Sequence, residues 1–246
     1  MAYVYRFVDI ITRPVRDYMD ALQACMRGAS LAYAALIAVG FALSWWVYVP
    51  IHELCHAWGC LLTGGDVTRL EIDWIYGAPL LARMFPYVTV GSEYAGQLTG
   101  FDTHGNDLCY LATDFLPFVL TIFVGVPLLR ASAHARTVGQ RCLLLGVALP
   151  IAYAPFVSLT GDYYEMGSIV VSRAIASHDP TFPLARWRSD DIFKLGGELA
   201  TQPDATVADA MGVTASFLVG LVLALATYWL GVMVADLIVR HDAASR

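Results

Sequence analysis

Trp45-Trp46-Val47-Tyr48-Val49-Pro50-Ile51-His52-Glu53-Leu54-Cys55-His56-Ala57-Trp58-Gly59-Cys60-Leu61-Leu62 sets two imidazoles and a carboxylate inside an otherwise apolar run. On a helix, positions i and i+4 share a face, so His52 and His56 present two ring nitrogens to one metal ion. Glu53 stands about a third of a turn round from them. Zinc hydrolases use this spacing: the ion brings the pKa of its water to about 7, and a neighbouring carboxylate takes the proton. The plainer reading gives the histidines ordinary hydrogen bonds and Glu53 an ion pair. Ionisable groups at membrane depth are costly, which makes function the default for such a cluster.

The apolar run extends back from the motif to Ser30. As one helix, Ser30–Leu62 is about 50 Å long, against a hydrocarbon core of about 30 Å. Either a tilted helix projects beyond the bilayer, or Pro50 kinks it just before the motif. Gly64-Gly65 ends it. The whole chain has the same character: 246 residues, 58% hydrophobic and 15% charged, with a mean hydropathy of +0.59. That is an integral membrane protein. A net charge of −6 without a basic cluster excludes nucleic acid as a partner. Five cysteines with no CxxC pair argue against a disulfide framework. Cys55 reads as a small buried hydrophobe beside the ligand face. No signal-peptide pattern opens the chain, because Arg6, Asp9, Arg13 and Arg16 interrupt its first apolar residues.

Before the motif, residues 3–26 place apolar side chains at three- and four-residue spacing. This predicts an amphipathic helix, lying on the membrane surface or packed on the rest of the protein. After the motif, Val67–Ile75 alternates apolar with charged residues and Phe85–Val90 is a second candidate strand, so a β-hairpin or small sheet is expected. Its edge at Val67, Arg69, Leu70, Glu71 and Ile72 is the expected place for an extended peptide to add as a strand. Gly91–Asp107 reads as a loop, with His104 exposed within it rather than a ligand. Leu108–Leu129 is the next span, carrying Asp114, Pro117 and Pro127. Cys142–Leu159 follows with Pro150 and Pro155, leading into Thr160-Gly161-Asp162. Helix breakers at this depth are tolerated where backbone is buried in protein or lines a polar cavity.

The fold class expected is an all-α polytopic membrane protein of about four transmembrane helices, with a small β-hairpin or sheet after the HExxH helix. It forms one integral membrane domain over 1–246. Its parts are an amphipathic N-terminal helix (1–28), the HExxH helix (30–64), a β-hairpin and loop (65–107) and a span (108–129). A span carrying Asp162 (141–176), an extramembrane loop with a short helix near Asp190–Leu199 (177–205) and a last span (206–240) complete it.

Two histidines leave a catalytic zinc short of its usual third protein ligand. Asp162 is the leading candidate: it follows a Pro-containing span and a Gly, two crossings after the motif. Glu165, one turn later, and Asp114, a carboxylate inside a span, are the alternatives.

His52-Glu53-Leu54-Cys55-His56-Ala57 and Gly64-Gly65-Asp66-Val67 with its strand, together with Pro155 and Leu159-Thr160-Gly161-Asp162, resemble the site-2 protease family of intramembrane zinc metalloproteases over Leu31–Ser172. The resemblance implies one Zn²⁺ per chain held by His52, His56 and Asp162, with Glu53 as catalytic base. It implies a transmembrane protein or peptide as substrate and the lipid bilayer as surroundings, and the bacterial inner membrane is the expected location. The family usually carries an Asn-Pro before the aspartate and reads Leu-Asp-Gly at it. Here no asparagine precedes Pro155, and Asp162 sits in Gly-Asp-Tyr. A catalytically inactive metal-binding scaffold or helix-binding pseudoprotease is the rival reading.

Overall fold

The computed structural model describes the backbone of residues 2–26 and 30–244, and side chains over 8–26 and 30–240. Helix α1 (Ala2–Met26) lays Ala21 and Cys25 into a core with Val126, Leu129, Cys142 and Leu145. Its Val8, Ile11, Val15 and Met19 stay exposed along a second stripe. The helix therefore packs on the protein and also presents an apolar face outward.

Helix α2 (Leu31–Leu62) is one unbroken element of 32 residues with Pro50 inside it. At 1.5 Å per residue it is about 48 Å long. The helical backbone runs through Pro50 without interruption.

Of the expected hairpin or small sheet, the polypeptide after α2 forms a three-stranded sheet. Strand β1 (Asp66–Ile72) leads through a 3-10 turn and the seven-residue helix α3 (Ala78–Met84) to β2 (Val88–Val90), which lies parallel to β1. The stretch expected to be loop contains a third strand, β3 (Gly96–Asp102), antiparallel to β1 on its other side. The sheet order is β2-β1-β3. Leu70, Ile72 and Val88 pack against Leu54 and Ala57 of α2, so the sheet is fastened to the face of the motif helix next to the one bearing the histidines.

The chain then returns through α4 (Asp107–Phe115), a 3-10 turn (Leu116–Phe118), a π-helical segment (Thr121–Gly125) and α5 (Val126–Ser132). Next come α6 (Val138–Ala152) and α7 (Ala154–Val157), which leads into a 3-10 turn and meets α6 at a bend of 46°. Pro155 cannot donate to the carbonyl of Ile151, and the Thr121 hydroxyl of the facing span does so instead at 2.7 Å. Helix α8 (Asp162–Ala176) continues beyond the turn. A cap over 177–205 holds helix α9 (Ile192–Thr201), near where the sequence places a short helix, and α10 (Val207–Ala244) closes the fold.

Among the described residues three helices are long and apolar enough to cross a membrane: Leu31–Leu62, Asp107–Ser132 and Val207–Arg240. Counting Val138–Ala152 with Ala154–Thr160 as one bent span makes four. This is consistent with a membrane protein.

Candidate metal centre

His52 and His56 are about nine-tenths buried, and their Nε2 atoms face each other at 3.1 Å. Asp162, the first residue of α8, brings Oδ2 to 3.7 Å from His52 Nε2 and Oδ1 to 3.8 Å from His56 Nε2. One ligand atom from each of the three lies within 4.8 Å of the others, so the group could hold a metal ion. With bonds of about 2.0–2.1 Å, the ligand atoms of a tetrahedral zinc site are about 3.3 Å apart, close to these spacings.

The far side of each ring is also engaged. His56 Nδ1 lies 2.9 Å from the carbonyl oxygen of Thr113. A carbonyl only accepts, so Nδ1 carries the proton and Nε2 offers a lone pair to the site. Gly59 makes this contact reachable: a Cβ there would sit 2.3 Å from the Ala112 carbonyl oxygen, so any larger residue would hold α4 away. The Tyr48 hydroxyl is 2.7 Å from His52 Nδ1, and the Phe118 ring stands edge-on to His52 at 5.5 Å. Two imidazoles with oriented rings and a carboxylate form a donor set that fits a divalent metal.

Asp162 reaches the site because the chain breaks twice, at the bend after Ala152 and again at Gly161 between the 3-10 turn and α8. Of the three candidates for third ligand, the structure brings only Asp162 to the histidines. Glu165 instead accepts a hydrogen bond from the Tyr110 hydroxyl. Asp114 is buried in the same cavity outside the three-residue cluster.

Glu53 lines this cavity, which has a volume of about 730 Å³. Strand β3 closes on it: a Cβ at Gly96 would lie 2.4 Å from Glu53 Cγ. His104 is exposed and sits between Asp66 and Asp102, away from the metal cluster, as expected.

The expected peptide-binding edge is displaced. Strand β1 is the central strand, and its Leu70, Glu71 and Ile72 pair on both sides. Leu70 and Ile72 are fully buried, and Glu71 is engaged by Arg69 at 2.8 Å. None of Val67, Arg69, Leu70, Glu71 or Ile72 lines the cavity, whereas Gly96, Gln97, Leu98 and Phe101 of β3 do. The reason is β3, which pairs antiparallel with β1 on the side opposite β2 and takes the edge for itself.

Sequence reasoning also missed Tyr48, although its position four residues before His52, on the same helical face, was a readable signal. It missed the cap residues Arg188, Asp190 and Lys194, which reach the cavity from a segment with no local pattern tying it to the motif. No family model, curated protein or solved structure matches this chain.

Proposed function

We propose that the chain is an intramembrane zinc metalloprotease, hydrolysing peptide bonds of membrane-embedded substrates, as the resemblance to site-2 proteases implies. The observation that carries this reading is the convergence of His52, His56 and Asp162 beside Glu53 on one cavity. His52, His56 and Asp162 would hold one Zn²⁺. When bound, that ion supplies Lewis acidity, polarising an amide carbonyl and acidifying a water. Glu53 takes the proton of the attacking water and returns it to the leaving amine nitrogen. Tyr48 and the Thr113 carbonyl hold the two imidazoles in register.

A transmembrane helix hides its carbonyls in its own hydrogen bonds, so a substrate must unwind before it is cut. The outer edge of β3 offers partners to the freed groups. Leu70 donates to Tyr87 and Ile72 accepts from Gly91 on the β2 side. The residues opposite them, Leu98 and Gly96, therefore turn their backbone N–H and C=O away from β1. A peptide adding there lies along the cavity that contains Glu53.

Purified protein is expected to carry about one zinc per chain and to cleave a membrane substrate, with Glu53→Gln keeping the metal and losing cleavage. Full cleavage by zinc-loaded Glu53→Gln would sink this mechanism. The inactive-scaffold reading is favoured by one observation. Asn106, the chain's single asparagine, accepts from the amides of Leu108 and Cys109 at the start of α4 and is spent as a helix cap outside the site. Zinc-loaded wild-type protein that cuts none of its bound substrates would establish that rival.

A further inference from the structure

The cavity runs past the metal cluster between facing sides of α4 and α8. Tyr110 and Asp114 stand one turn apart on α4, Asp162 and Glu165 one turn apart on α8, and all four border the same space. Tyr110 fixes Glu165 by donating its hydroxyl proton to Oε1. Asp114 is 4% exposed, and its Oδ2 has no hydrogen-bond partner among the described residues. A buried carboxylate oxygen without a donor is costly in a low-dielectric interior, so a group this orphaned marks a missing partner.

Among the described residues no cation of the protein fills the place. Arg188 borders the cavity but spends both Nη atoms on Asp107, at 2.9 and 2.8 Å, and its Nε on Ser172 at 3.3 Å. Lys194 also borders the cavity, from an exposed position on α9, and gives Asp114 Oδ2 no hydrogen bond. Asp190 and Glu198 add further negative charge to the wall. Asp114 and Glu165 stand outside the one group of three metal-ligating side chains among the described residues, His52, His56 and Asp162, so an organic cation is the better match than a second metal ion.

We propose that Asp114 and Glu165 form a subsite for the cationic side chain, lysine or arginine, of the peptide whose bond the neighbouring centre cuts; the assignment rests on the protease reading above. A cation at membrane depth is tolerated when it pairs with an acid, and basic residues flank the ends of transmembrane helices, where a substrate first enters such a site. The orphaned Oδ2 of Asp114 receives the charge-assisted hydrogen bond that no group among the described residues provides.

The test separates recognition from cutting. Zinc-loaded Glu53→Gln protein in detergent is titrated with fluorescent peptides that carry lysine or norleucine at successive positions, and binding is followed by anisotropy. At one position the lysine peptide is expected to bind at least about tenfold more tightly. Adding Asp114→Asn or Glu165→Gln is expected to bring that ratio close to one, and Glu165→Gln decides the matter if the other variant fails to fold. A ratio that survives both substitutions overturns the subsite, as does equal binding of the two peptides or binding of neither. Wild-type protein that fails to cut a lysine peptide it binds selectively would remove the protease reading and leave the subsite standing. Wild-type protein that cuts and binds both peptides equally would do the reverse.

Discussion

Tyr48 occupies the position four residues before His52, and its hydroxyl at 2.7 Å from Nδ1 sets how that ring is turned. Outer contacts of this kind typically change metal affinity about 10–100-fold when removed. Tyr48→Phe keeps the ring that packs with Phe118 and Tyr163 and removes the hydroxyl alone. It is expected to weaken zinc binding by about 10-fold or more, measured by competition with a chromophoric chelator. Unchanged affinity would show that the hydroxyl does not position the ring. At this scale the sequence was informative where chemistry is local. Spacing groups His52 and His56 on one helical face with Glu53 beside it, and the same spacing extends to Tyr48, whose part was not read from it. Asp162 is more than a hundred positions away, and it could be ranked above Glu165 and Asp114 but not placed. The Thr113 carbonyl is backbone, which no residue type announces.

Strand β3 shows why elements were harder to read than residues. Gly96-Gln97-Leu98-Thr99-Gly100-Phe101-Asp102 has two glycines and weak alternation, the composition of a loop. Its glycines serve close approach: Gly96 faces Glu53, and a Cβ at Gly100 would meet the Thr68 hydroxyl oxygen at 2.5 Å. Helix α3, at seven residues, is too short to show a period, so the parallel crossover was invisible, and with β3 unread a hairpin and a small sheet could not be told apart. The breaks in the later spans were legible, because Pro155 and Gly161 mark them directly. The strand's hydrogen-bond phase gives a sharp prediction. Leu98 turns its N–H outward, whereas Gln97 faces Glu71 and turns its N–H into the ladder. Leu98→Pro is expected to raise the KM for a membrane substrate about tenfold while zinc content stays the same. Gln97→Pro should instead loosen the sheet and lower the melting temperature. If both substitutions affected stability alone, β3 would not be the substrate's partner.

Across the whole molecule, α10 connects two polar clusters, one near each of its ends. Near its start, Asp209 accepts from the Trp187 indole at 3.0 Å and from Arg186, tying the cap to the cavity end. Further along, Asp236 pairs with Arg130 at 2.7 Å, and Arg141 reaches the Ala24 carbonyl at the end of α1. Between Asp209 and Asp236 a helix rises about 40 Å, more than the hydrocarbon core of about 30 Å, so a bilayer crossed by α10 would leave both polar clusters outside it. The connection between α5 and α6 would then lie on the side opposite the cap, with α6, α7 and α8 as one bent crossing between them. All five native cysteines are buried, so an added thiol on the surface is the reactive one. Single substitutions Arg136→Cys and Thr181→Cys, both at exposed positions, are expected to react with a membrane-impermeant maleimide from opposite sides of a sealed vesicle. Labelling of both from one side would mean that the chain between them enters and leaves by the same face. Asp162 would then sit at the tip of a re-entrant segment, and the four-span reading would give way to three.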